Sequence, residues 1–224
     1  MPSRWDADRL VAEVQRLALR GLPRDEYNRE LAARLRRTLV FDAVCWHSMD
    51  PQTLLLTTAN PEELHHHGFL SEVTEPEAAR VVLASEYERD DYNAWAALAR
   101  RRAPVGILSE ATRGRPERSA RYREWLTPAG LPFEMRAAFV TRRRAWGCVG
   151  FHRSEASGDF QRPDARLLAR LSRPIAEGLR ASLRGDAARR FSEQSAPGMI
   201  LLGRGDEIEF ATPAAQQLLE PLRN

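Results

Sequence analysis

Two cysteines and a few histidines are the first residues in this chain whose types suggest chemistry. Cys45 and His47 are two residues apart, and Cys148 and His152 four apart, each pair within a stretch of aromatic, valine and alanine residues that reads as a strand. Alternate residues of a strand share a face, so each pair projects to one side, and two such strands laid together would bring all four side chains into one small cluster suited to zinc or redox chemistry. Against this, neither cysteine has a close-spaced partner of the kind zinc sites use, and buried cysteines are ordinary small core residues. His65-His66-His67 is also a poor chelate, because consecutive side chains point in different directions; it reads as a solvated loop.

Other chemistry finds no footing. Gly106 and the segment Thr112-Arg-Gly-Arg115 lack the glycine spacing of a phosphate loop. No serine sits in a Gly-x-Ser-x-Gly elbow, and Glu110 and Glu134 have no identifiable partner for acid–base work. No catalytic residue is assigned and no cofactor is identified. Binding is better represented. Glu134 and Arg136 fall on one face of one strand, and a buried Arg136 would need that carboxylate, or a ligand anion, beside it. Trp46, Tyr92, Trp95 and Trp146 have broad apolar faces with polar tips, suited to core packing or to the walls of a pocket. With Glu134 and Arg136 they form the candidate ligand-binding set.

The elements that must position these residues follow from periodicity. Leu10, Val11, Val14 and Leu17 mark an amphipathic helix ended by Gly21, and Tyr27, Leu31, Leu35 and Leu39 mark a second that opens at Pro23. Residues 41–48 and 53–58 read as a β-hairpin turning at Asp50-Pro51-Gln52. Residues 61–102 are helical and polar, 104–109 a short strand, and 117–126 a helix stopped by Pro128 and Gly130. A second hairpin, 133–141 with 145–152, turns at Arg142-Arg143-Arg144, and a long helix runs from Arg162 to about Leu183. This order predicts an α+β fold whose antiparallel sheet has the terminal helices on one face and a helical insertion on the other, with room for a ligand under the insertion.

The totals set limits. The 224 residues are 43% apolar and 29% charged, a soluble globular composition with a net charge of only +3. The basic excess is arginine, spread over helices with interleaved acids, and is not a nucleic-acid footprint, so direct DNA contact by this chain is not expected. Neither a signal-peptide core nor a run of ~20 apolar residues is present, so a cytoplasmic location with reduced cysteines and no membrane contact is expected.

Residues 1–184 resemble the GAF-like sensor domain of actinobacterial LuxR-type helix-turn-helix transcriptional regulators. The resemblance rests on Phe41-Asp-Ala-Val-Cys-Trp46 with Asp50-Pro51, Asp91-Tyr-Asn93 with Ala97-Leu98, and Leu108-Ser-Glu-Ala-Thr112. It continues through Ser119-Ala-Arg-Tyr-Arg123 leading to Pro128-Ala-Gly130, then Glu134-Met-Arg136, Trp146-Gly147 and Phe160. Residues 185–196 read as a helical linker. Residues 197–224 resemble the opening strand-turn-strand-helix of a PAS domain, with Thr212 where many have Asn. The resemblance implies a non-catalytic sensory or dimerisation module of a transcription regulator, forming a homodimer through its terminal helices and touching DNA only through a C-terminal domain missing from this chain. A small GAF-fold redox enzyme using Cys45 or Cys148, in the manner of free methionine sulfoxide reductases, is the alternative, as is the sensor module of a kinase or phosphatase.

Overall fold

The protein is described by a computed structural model covering residues 4–60, 75–89, 91–193, 198–203, 205 and 207–219. It divides into two compact units, Met1–Ser182 and Leu183–Asn224. The histidine triplet 65–67 lies outside the described residues.

In the first unit, helices α1 (Arg4–Ala18) and α2 (Arg24–Leu35) precede strands β1 (Ala43–Met49) and β2 (Leu56–Asn60). Helix α3 (Glu75–Tyr87), the short α4 (Trp95–Ala99), strand β3 (Val105–Ile107) and the single turn α5 (Leu108–Ala111) make up the insertion's ordered frame. Strands β4 (Phe133–Thr141) and β5 (Arg144–Arg153) and the long helix α6 (Arg162–Glu193) complete it. The five strands form one antiparallel sheet in the order β2-β1-β5-β4-β3. This is the expected α+β architecture, and period-two alternation divides it into two faces.

On one face Val44, Trp46, Met135, Ala137, Phe139, Val149 and Phe151 meet the apolar stripes of the terminal helices, including Leu10, Val14, Tyr27, Leu31, Leu171 and Ile175. The i, i+4 spacing of those helical residues is what turns them together toward the sheet. The opposite face is covered by the insertion, where Ala43 joins Val81, Leu108, Trp125 and Leu126, and Met49, Ala138, Ala145 and Cys148 join Trp95 and Leu98.

Several local outcomes differ from the sequence reading, among them β2, which starts at Leu56 rather than Thr53, and the strand read over 104–109, which ends at Ile107 where a helical turn begins. The β4–β5 turn is the two-residue loop Arg142–Arg143, with both residues at positive φ (50° and 62°), and Arg144 already belongs to the strand. The helix expected over 117–126 is instead a 3₁₀ turn at Pro116–Arg118, an extended Ser119 and a π-turn at Tyr122–Leu126. Its helical propensity is overridden by the demands on Ser119 and Arg121 described below. The Asn93 side chain packs directly on the Gly106 backbone, where a Cβ would lie 2.3 Å from its Oδ1, and Asn93 is itself at positive φ. Among the described residues, no helix is long and apolar enough to cross a membrane.

The second unit has a two-stranded antiparallel ribbon, β6 (Ile200–Leu202) with β7 (Ile208–Ala211), and helix α7 (Pro213–Leu219). The Thr212 hydroxyl accepts hydrogen bonds from the Met199 and Ala215 N–H groups, the second being the N-cap bond expected of a threonine before a helix.

Candidate functional site

The insertion face of the sheet holds a buried ion network centred on Glu134. Alternation along β4 aims Glu134 and Arg136 toward the insertion and their neighbours Met135 and Ala137 toward the helices. Arg121 grips the Glu134 carboxylate with two prongs, Nε at 3.0 Å from Oε1 and Nη2 at 2.7 Å from Oε2, and Arg136 adds Nε at 3.0 Å from Oε1. Arg136 continues the chain by donating Nη1 to Glu86, whose other oxygen accepts the Trp95 backbone N–H at 2.8 Å. Arg121 reaches Asp91 at 3.3 Å and the Tyr92 carbonyl at 3.2 Å. Asp91 also receives the Ser119 hydroxyl and the Arg121 N–H, both at 3.1 Å, at the extended residue that separates the 3₁₀ turn from the helical turns of 120–126.

These five side chains are at most 3% exposed, and two guanidiniums face three carboxylates. Burial alone would raise the Glu134 carboxyl, but Arg121 and Arg136 outweigh it and hold it down at about 2. Burial would likewise lower the Arg136 guanidinium, yet Glu134 and Glu86 raise it. Both remain charged at neutral pH. Trp95 completes the setting: the Arg136 guanidinium lies 3.9 Å over its ring, and its indole N–H donates to the Val149 carbonyl at 3.1 Å.

Cys45, His47, Cys148 and His152 lie beside this network. The β1–β5 register sets His47 opposite Cys148 and Ala43 opposite His152, so all four project from the insertion face. Cys45 Sγ is 3.2 Å from His47 Nε2. Aromatic rings then separate the rest: Trp95 lies 4.6 Å from His47, and Trp125 stands edge-on to His152 at 5.0 Å. Among the described residues, no group of three or more His, Cys, Asp or Glu side chains is placed to hold a metal ion. Burial pushes the Cys45 thiol up to about 12 and Cys148 well above its ordinary value, and lowers His152 to about 4, leaving that imidazole neutral. The ring of His152 fits because residue 150 is glycine; a Cβ there would lie 2.9 Å from Nε2.

The six candidate binding residues do not converge. Tyr92, Trp95, Glu134 and Arg136 share the insertion side, with Tyr92 contributing its carbonyl to Arg121. Trp46 and Trp146 belong to the helix side, where Trp46 stacks on Phe139 at 5.9 Å. Alternation along β1 places Trp46 there, and Trp146 is the extra residue of a β-bulge between the 139–147 and 140–145 pairs. Arg121, Asp91 and Glu86 were missed as site residues. The first two sit inside the motifs Ser119–Arg123 and Asp91–Asn93, whereas nothing in the sequence distinguishes Glu86 from other helical acids.

Beside the network, Trp125 Nε1, His152 Nδ1 and Asn93 Nδ2 are buried without a hydrogen-bond partner among the described residues, as are Trp46 Nε1 and Trp146 Nε1 on the helix side. An unmet buried polar atom costs about 1–3 kcal/mol, so each invites a partner. A separate open groove of about 600 Å³ lies among α1, α2 and the start of α6, lined by Arg9, Glu13, Arg34, Arg37, Arg153 and Asp164 among others.

No family model and no curated protein sequence matches the chain. Among solved structures, the GAF domain from an Acinetobacter phosphoenolpyruvate-protein phosphotransferase aligns over 82% of this chain and 97% of its own, at 14% sequence identity and a TM-score of 0.46. A likeness at that level is no guide to what this chain binds.

Proposed function

We propose that the first unit is a non-catalytic sensory module that takes a small molecule between the sheet and its insertion, in the manner of a GAF-like domain of a bacterial transcription regulator. The observation that supports this most is the juxtaposition of Trp125 Nε1 and His152 Nδ1: two buried polar atoms without partners among the described residues, on rings in contact, next to the ion network. A ligand offering an acceptor to the indole N–H and a hydrogen bond to the neutral imidazole fits this setting. The non-catalytic part of the reading is supported by the cysteines, which sit mid-strand with thiols raised by burial rather than on exposed loops. In this reading α6 transmits the bound state, the terminal helices pair two copies, and DNA is reached through a domain beyond this chain.

Native mass spectrometry of the full chain, beside a denatured control, tests both parts. The expected result is a dimer retaining a small-molecule adduct that denaturation releases and that His152→Leu weakens. A homogeneous apo species overturns the sensory reading, and a monomer overturns the pairing.

A further inference from the structure

The sheet topology gathers two arginine runs that lie forty residues apart in the sequence. Strand β3 pairs with β4 so that Val105 faces Ala137, and the Pro104 carbonyl accepts the Ala138 N–H at 2.9 Å. Arg100, Arg101 and Arg102, just ahead of Pro104, therefore lie beside the last residues of β4, which lead into Arg142, Arg143 and Arg144. At about 3.3 Å per strand residue the two runs are on the order of 10 Å apart. Leu98 and Ala99, immediately before the first run, pack with Val140 and Ala145, which flank the second.

All six arginines are exposed. Some exposed arginines elsewhere, Arg9, Arg37, Arg89, Arg162, Arg170 and Arg173 among them, pair with carboxylates, while others such as Arg113, Arg115 and Arg118 have no carboxylate partner among the described residues. Among the described residues, none of the six arginines of the two runs pairs with a carboxylate; Arg100 donates to the Ala96 carbonyl and Arg101 to the Asn93 side chain. Asp50, on the β1–β2 turn at the same end of the sheet, has Oδ1 engaged by Thr53 and the Gln52 N–H. The turn itself adds a second sign. A two-residue hairpin loop with both φ values positive favours Asn-Gly, and here it is Arg-Arg at 50° and 62°, a backbone cost that sets two guanidiniums at the tip.

From this juxtaposition we infer that the β4–β5 end of the sheet binds the phosphate backbone of nucleic acid, without reading its sequence. Six exposed guanidiniums with no carboxylate partner among the described residues, gathered at one end of the sheet, match an extended row of phosphates. A lipid surface shares the phosphate chemistry but also rewards apolar anchors, and neither run carries one. This inference is independent of the ligand-binding reading and concerns the chain itself rather than a DNA-binding domain beyond it.

The test is fluorescence anisotropy of the full chain with a labelled 20-base-pair duplex across 50–200 mM salt. With about four to six phosphate contacts, affinity is expected to fall by about 10²–10³-fold over that range. The double variant Arg142→Asn/Arg143→Gly installs the favoured turn, so its melting temperature should hold or rise while the salt slope falls by about two. Arg162→Ala, a paired exposed arginine away from this end, should bind as the parent does. Absent or salt-independent binding, an unchanged slope in the double variant, or binding to phosphatidylserine vesicles but not to duplex would each overturn the inference.

Discussion

The face of the sheet under α1, α2 and α6 is closed by Val44, Met135, Phe139, Phe151, Leu171 and Ile175, while the opposite face is closed around Glu86, Asp91, Arg121, Glu134 and Arg136. The first closure is non-directional: it depends on apolar area removed from water and on packing, and is indifferent to protons. The second is directional, since two buried guanidiniums are tolerated only while three carboxylates stand at hydrogen-bond distance. One sheet thus separates a layer built for stability from a layer built for a defined polar arrangement.

Removing the centre of the polar layer should cost most. Glu134→Ala leaves Arg121 and Arg136 facing each other without their shared carboxylate, and a loss of about 3–5 kcal/mol is expected in urea unfolding at pH 7. A loss under ~1 kcal/mol would mean that the network contributes little. Because the folded Glu134 carboxyl sits at about 2, below its unfolded value, its contribution is full above about pH 4.5 and fades as pH falls toward 2. The Glu134→Ala penalty should therefore shrink in acid.

Leu171→Ala makes the matching change on the helix face, where a fully buried leucine belongs to the apolar cluster between sheet and helices. A loss of about 2–5 kcal/mol is expected, equal at pH 7 and pH 4. A penalty that varies with pH in this range would blur the distinction between the faces.

His152 gives the smaller and sharper effect. Its folded value of about 4 lies below the ordinary imidazole range, so between pH 6.5 and 4 the unfolded chain takes up the proton first and the native state loses stability as pH falls. His152→Leu should remove that acid limb, worth on the order of 2–3 kcal/mol at pH 4, while changing stability less at pH 7. Parallel pH profiles for the two proteins would show that the imidazole is not held neutral by the insertion.

Much of the helix face was legible in the linear chain. Tyr27, Leu31, Leu35 and Leu39, read as one stripe, are all buried, and both core hairpins form, the second close to its expected bounds and the first with its return strand starting at Leu56 rather than Thr53. The pair Glu134–Arg136 was also legible, because two residues on a strand share a face whatever the fold. The rest of the site was not. Arg121 was read as part of an ordinary helix, and its capture by Asp91 and Glu134 replaces that helix with a 3₁₀ turn and a π-turn. Trp46 and Trp146 looked equivalent to Trp95 by composition, and the side of the sheet each occupies separated them.

The sequence by itself determined the element order, the two alternating faces and the helical stripes, because periodicity acts over a few residues and each residue's local geometry follows from its neighbours. Only the tertiary structure decided that Glu86, Asp91 and Arg121 meet Glu134 and Arg136, and that Arg100–Arg102 come to lie beside Arg142–Arg144. Those meetings depend on strand β3 returning to the edge of β4 and on where the insertion closes, and long-range pairing of that kind leaves no periodic trace in the chain.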